Sequence, residues 1–214
     1  MIRVKSFTFG PFAENTYVLW DDTRECIIID PGCFGREEEE KLRAFIAQEQ
    51  LKPVRLINTH CHLDHVFGNP FVVKTWGLGL EMHRADIPVL ERFTESCQLF
   101  GVGSEALPQP EPAAFIEAGE KITFGTSELD VLFTPGHSPG SISFYSAAHS
   151  FIISGDVLFQ GSIGRTDLPG GNFDVLIHSI RSQFFPLPDD TTVYSGHGPK
   201  TTIGAEKKYN PFLV

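Results

Sequence analysis

The chain is 214 residues long, 41% hydrophobic and 21% charged, with a formal net charge of −10. That composition belongs to an ordinary globular protein able to bury a sizeable core, most simply as a single domain over residues 1–214. The acidic balance, without a Lys/Arg cluster, argues against a nucleic-acid partner, and no apolar run approaches the ~20 residues of a membrane span.

Taken in order, Ile2 to Phe9 alternates apolar and polar residues as a half-buried strand does. Thr16–Trp20 and Glu25–Asp30 flank Asp21-Asp22-Thr23-Arg24 and read as a hairpin that ends at Asp30-Pro31-Gly32. Arg36 to Gln50 carries Leu42, Phe45 and Ile46 at helical spacing, and its Glu37–Glu40 run is dipole-favoured in a first turn rather than a cation site. The N-terminus, Met1-Ile2-Arg3-Val4-Lys5, lacks the apolar core of a signal peptide. Cys26, Cys33, Cys61 and Cys97 show no CxxC spacing, so reduced thiols and a cytoplasmic location are expected.

The β-branched run Val54–Asn58 predicts a buried strand leading into Thr59-His60-Cys61-His62-Leu63-Asp64-His65. Imidazoles and a carboxylate packed into one loop after a strand need compensation, which a cation supplies. Asn69-Pro70 predicts a helix start with Asn69 as N-cap. A short helix at Phe71–Trp76, a strand at Leu78–His83, a helix over Arg84–Phe100 and a Pro/Gly-rich loop over Gly101–Pro112 follow.

In the second half, Lys121–Phe124, Leu129–Thr134, Ser141–Tyr145 and Phe151–Ser154 read as strands, Asn172–Phe185 as a helix and Thr192–Ser195 as a last strand. Meander, helix and strand in each half predict two sheets face to face with helices outside, an α/β fold of the four-layer αββα sandwich type. Further candidate donors stand at strand ends: His137 in Thr134-Pro135-Gly136-His137, Asp156 in Ser154-Gly155-Asp156, and His197 in Ser195-Gly196-His197. Glycine beside each allows close approach. His83, His149 and His178 have no such context and are expected to be surface or hydrogen-bonded residues, while Cys61 is expected to pack.

The set His60-x-His62-x-Asp64-His65, then His137, Asp156 and His197, resembles the metallo-β-lactamase superfamily through most of the chain. The resemblance implies one metal on His60, His62 and His137 and a second on Asp64, His65 and His197. Asp156 would bridge them, Asp64 would also be catalytic, and Asp30 would give support beneath the site. Imidazole and carboxylate suit zinc, and also iron or manganese. Two divalent ions ~3.5–4 Å apart can share a hydroxide and polarise a carbonyl, so hydrolysis is the expected reaction.

The segment Gly161 to Asn172 resembles that of glyoxalase II-like hydrolases, including short bacterial forms, and of the related persulfide dioxygenases. It implies a small-molecule thioester substrate such as S-lactoylglutathione, with Arg165 as a substrate-binding cation or, alternatively, as a structural partner of Asp167. Full-length glyoxalase II carries a helical C-terminal extension that contacts glutathione. Here Gly198 to Val214 follow the last donor, with Lys200, Lys207, Lys208 and Tyr209 as the residues that could serve partly. The alternative reading is a mononuclear iron persulfide dioxygenase on His60, His137 and Asp156.

Overall fold

The structure is a computed structural model and is described for residues 1–102 and 108–214. The first sheet is formed, in spatial order, by β1 (Arg3–Phe9), β2 (Glu14–Trp20), β3 (Glu25–Ile29), β4 (Lys52–Ile57), β5 (Leu80–Met82) and β6 (Pro112–Phe115). The first three strands form an antiparallel meander. The pairs β3–β4, β4–β5 and β5–β6 are parallel. Parallel pairing requires crossovers, supplied by α1 (Arg36–Gln48) after β3 and by α2 (Leu63–Val66) and α3 (Asn69–Trp76) after β4.

The second half repeats this plan. β7 (Lys121–Phe124), β8 (Ser127–Phe133), β9 (Ile142–Ser146) and β10 (Phe151–Gly155) form an antiparallel meander. A small ribbon of β11 (Leu158–Phe159) and β12 (Ser162–Ile163) follows. The chain then passes through α6 (Phe173–Ser179) to β13 (Thr192–Ser195), which pairs in parallel with β10. β14 (Thr201–Thr202) edges the sheet, and α7 (Ile203–Tyr209) ends the chain's regular structure.

The layering explains why the strand sequences are apolar on both faces. Along β2 and β3, Tyr17, Leu19, Ile27 and Ile29 enter a core shared with Val131, Phe144, Phe151 and Ile153 of the second sheet. Their neighbours Val18, Trp20, Cys26 and Ile28 face the other way, onto Leu42 and Ile46 of α1. In the second sheet, Ile152 and Val193 turn outward onto Leu176 of α6 and Ile203 of α7. Each sheet is thus buried between helices and the other sheet, as the αββα expectation required.

Several elements differ from expectation. The helix over 84–100 is broken into a 3-10 turn at Arg84–Asp86, α4 (Ile87–Glu91) and α5 (Phe93–Leu99), with Pro88 in the first turn of α4. Gly68, not Asn69, is the N-cap of α3, because the Asn69 side chain is used elsewhere: its amide donates to Asn58 Oδ1 at 2.8 Å. Pro112, the expected end of a loop, begins β6, and residues 103–107 of that loop lie outside the described residues.

Candidate metal centre

The candidate donors gather at one edge of the sandwich, where parallel strands of both sheets end. His60 and His62 follow β4, with Asp64 and His65 on α2; His137 follows β8, Asp156 follows β10 and His197 follows β13. Cross-sheet hydrogen bonds hold this edge together: Ile142 N donates to Thr59 O at 2.9 Å and Asn15 N to Gly196 O at 2.7 Å. Tyr17 Oη donates to Ser195 O at 2.6 Å. The register of β10 on β13 slips between Ile153 and Gly155, an irregularity just before Asp156 of the kind that re-aims a side chain.

The donors form two groups. In the first, His62 Nδ1 lies 2.8 Å from His137 Nε2, which lies 3.2 Å from His60 Nε2. In the second, His197 Nε2 lies 3.1 Å from Asp64 Oδ2, and His65 Nε2 lies 3.9 Å from the same oxygen. Asp156 stands between them. Its Oδ2 is 3.5 Å from His137 Nε2 and 3.4 Å from His197 Nε2, and its Oδ1 is 3.4 Å from His65 Nε2. Every sequence-expected donor is therefore in the cluster.

The far side of most rings is already committed. His137 Nδ1 donates to Arg165 O at 2.7 Å and His197 Nδ1 to Phe12 O at 3.1 Å. Asp30 accepts from Thr59 N at 2.7 Å, from Thr59 Oγ1 at 2.5 Å and from His65 Nδ1 at 3.1 Å. Because the Thr59 hydroxyl spends its hydrogen on Asp30, it accepts from His60 Nδ1 at 3.1 Å. With Nδ1 committed to these partners, the Nε2 atoms of His60, His65, His137 and His197 turn into the cluster. The backbone of Asp30 is in the left-handed region, φ +49°, a strained conformation that its hydrogen bonds hold.

Burial drives His60, His62 and His137 below the ordinary imidazole range, His62 to about 3, so these rings are neutral at pH 7. Burial also acts against a charge on His65 and His197, but the Asp156 and Asp64 carboxylates outweigh it. His65 is held well above its usual value and His197 at about 9. Burial opposes ionisation of Asp64 and Asp156 in turn, and the His65 charge overcomes it, keeping both below the carboxylate range.

These residues fit divalent metal. Three neutral lone pairs pointing at one another in the first group repel unless a cation sits among them. Separations of 2.8 and 3.2 Å approach the ~3.4 Å edge of a tetrahedron with ~2.1 Å bonds. His65 Nε2 and Asp156 Oδ1 are buried without a hydrogen-bond partner among the described residues.

Asp86 and Glu14 stand against the donor cluster, and the sequence reading marked neither. Asp86, buried, accepts from Cys61 N at 2.7 Å, Ser138 Oγ at 2.6 Å and Gly140 N at 2.6 Å, tying the His60–His62 loop to the His137 turn. The Asp-x-Pro spacing of Asp86 and Pro88 is a helix-start signal that would have broken the predicted helix there. Glu14 lies beneath the second group, its Oε1 without a hydrogen-bond partner among the described residues and 3.9 Å from His65 Nδ1, and burial raises its carboxyl well above the ordinary range. No sequence signal marks it.

The remaining candidates lie outside the cluster. His83 accepts from Ala85 N, His149 accepts from Ile2 N, and His178 is exposed. Cys61 packs with its Sγ 3.6 Å from Met82 Sδ. Arg165 reaches the rim of the cleft over the donors, and its guanidinium makes paired hydrogen bonds to Asp167 at 2.7 and 2.8 Å.

Residues 9–197 match the family model of the metallo-beta-lactamase superfamily, and the chain belongs to that family. It is 40% identical to "Probable metallo-hydrolase YqgX" of Bacillus subtilis (strain 168), over 95% of this chain and 94% of that one. It is 39% identical to "Hydroxyacylglutathione hydrolase GloC" of Haemophilus influenzae, over 94% and 93%. Among solved structures it is similar to the BLEG-1 B3 metallo-beta-lactamase, at 39% identity and a TM-score of 0.89, covering 99% of this chain and 100% of that one. TTHA1623 in a di-iron-bound form matches at 37% identity and 0.88, covering 98% and 100%. Membership places the chain in the class of metal-dependent hydrolases. No helix of the described residues is long and apolar enough to cross a membrane.

Proposed function

We propose that the chain is a dinuclear metal-dependent thioesterase that hydrolyses S-lactoylglutathione or a similar acyl-thioester. The observation that carries this reading is the position of Asp156, within 3.5 Å of donors in both groups. In this reading His60, His62 and His137 would hold one ion, Asp64, His65 and His197 would hold the other, and Asp156 stands within reach of both groups. Zinc matches the donor set, and iron, the metal of the TTHA1623 structure, is its competitor.

When bound, such ions lower the pKa of water to about 7 and polarise a substrate carbonyl. The chain's own residues do the rest. Asp30 keeps the His65 lone pair turned inward, and Thr59 and the Arg165 carbonyl do the same for His60 and His137. Asp64 lines the cleft as an ionised carboxylate beside His197, and from its place in the second group we assign it a catalytic role. A thiol leaving group, with a reference pKa of about 8.5, departs without a strong general acid. The similarity to a hydroxyacylglutathione hydrolase supports a thioester, and the equal identity to the BLEG-1 B3 metallo-beta-lactamase makes a lactam the competing substrate to test.

The test is hydrolysis of S-lactoylglutathione and several simpler acyl-thioesters by metal-loaded protein, with a chromogenic cephalosporin beside them. Thioester cleavage is expected, and its absence across the series would sink the proposal. A second reading rests on the His60, His137 and Asp156 side chains, which could hold a single iron(II) as in persulfide dioxygenases. One iron per chain with oxygen uptake on glutathione persulfide would establish it; two zinc ions without oxygen uptake would remove it.

A further inference from the structure

Beside the metal cleft lies a second cavity of about 410 Å³, and the two share a wall: His62, Leu63, Phe100 and Leu168 line both. The rest of its lining comes from α4 and α5, with Val89 and Phe93, and from Pro139 and Pro169 of the loops after β8 and before α6. The lining is predominantly apolar. The charged residues at its edge, Arg92 and Glu95, satisfy each other through hydrogen bonds of 3.0 and 3.1 Å. At the cleft mouth the other cation, Arg165, is tied to Asp167. Among the described lining residues, then, neither cavity offers an unpaired Lys or Arg to meet a substrate carboxylate.

What the cavity does offer is uncovered apolar surface next to the reaction centre. Leu99 is 78% exposed and Phe100 38% exposed at its lip, and the Phe100 ring meets Phe12 edge-on across the cleft at 6.0 Å. Exposed apolar side chains around a concave site gain free energy when a ligand covers them. We infer that this cavity takes an apolar arm of the substrate. On the thioesterase reading above, on which this inference rests, the substrate class is an acyl-thioester other than S-lactoylglutathione, with an aliphatic or aromatic group on its acyl or thiol side. Recognition then runs through that group rather than through carboxylates.

The test is a series of thioesters on metal-loaded protein, extended separately at each end. One set is the acetyl, butanoyl, hexanoyl and phenylacetyl esters of N-acetylcysteamine; the other is the acetyl esters of N-acetylcysteamine, hexanethiol and benzyl mercaptan. At one end kcat/KM should rise about ten-fold or more from the shortest to the longest member, chiefly through KM. Ser96→Trp, which fills the cavity from α5, should collapse that ratio towards one. A second measurement does not depend on the variant's folding or on turnover: S-hexyl-N-acetylcysteamine, an uncleavable thioether, should bind the metal-loaded protein at least about ten-fold tighter than its S-methyl counterpart by calorimetry. Hydrolysis with a flat series at both ends, or equal affinity for the two thioethers, overturns the inference. No hydrolysis anywhere with the hexyl preference retained overturns the thioesterase reading and leaves the cavity as a site for an apolar group.

Discussion

Asp86 Oδ1 accepts a 2.6 Å hydrogen bond from Ser138 Oγ, and by that contact the break after β5 is fastened to the turn that carries His137. The same carboxylate takes Cys61 N, between His60 and His62. Removing it leaves buried donors without a partner and frees the two loops to move apart. Asp86→Ala is expected to cost about 2–4 kcal/mol of stability. It should also weaken metal binding at the first group about 10–100-fold. Thermal unfolding with a chelator-competition titration measures both, and unchanged metal affinity would show that Asp86 acts on stability alone.

Asp30 serves the second group. Asp30→Asn is a demanding test, because Asn tolerates the left-handed backbone at φ +49° as Asp does. The substitution therefore changes the acceptor without adding backbone strain. His65 loses the carboxylate that holds its Nδ1 proton, and metal affinity at the second group should fall about 10–100-fold; the first group, which Asp30 reaches only through Thr59, should lose less and keep its ion. Elemental analysis after dialysis at fixed free zinc reads the difference as one ion per chain in place of two.

Gly196 makes room for the Asp156 carboxylate. A Cβ there would stand 2.0 Å from Asp156 Oδ1 and 2.7 Å from His65 Cε1. Gly196→Ala should push Asp156 out of its position and lower hydrolase activity on the proposed thioester substrates by about 10²-fold or more. Gly161→Ala is the control: φ is +67° but nothing lies within 4 Å of its Cβ. Backbone strain of about 1 kcal/mol, without loss of metal, is the expected result there.

Far from the donors, Asp21 joins the two sheets at the opposite end of the sandwich. Its carboxylate accepts from Thr23 N and Oγ1 and from Thr126 N and Oγ1, and also from Ser127 Oγ. Burial alone would raise its pKa; the Thr23, Thr126 and Ser127 hydrogen bonds win and hold it well below the ordinary range. A carboxylate with a lowered folded pKa stabilises the fold above its unfolded value of about 3.9, and that contribution disappears as pH falls through the folded value. Melting temperature should therefore drop below about pH 4, and Asp21→Asn should flatten that part of the profile while lowering stability at neutral pH. An unchanged acid profile in the variant would contradict the assignment.

The donors were legible in sequence because His60, His62, Asp64 and His65 crowd into one loop and helix start just beyond an apolar strand, and His137, Asp156 and His197 each follow a strand beside a glycine. The layered fold was legible for a related reason: runs such as Glu25–Ile29 and Phe151–Gly155 are apolar on both faces, which only strands buried on both sides require. What was not legible depended on tertiary partners. Asn69 reads as an N-cap until Asn58 is seen to take its side chain. Asp86 reads as one more helical residue until the Ser138 and Cys61 donors are in view. The edge strand β6 hides behind Pro112, which is tolerated at a strand start but resembles loop. Glu14 has no local pattern at all, since its burial beneath His65 is created by the meeting of the two sheets.

On the dinuclear thioesterase reading, hydrolysis requires both donor groups to be filled, and the rate of acyl-thioester cleavage by metal-free protein titrated stepwise with zinc tests this requirement. The expected result is activity that rises to a plateau at two zinc ions per chain. A plateau at one ion per chain, or no cleavage at any loading, would contradict it.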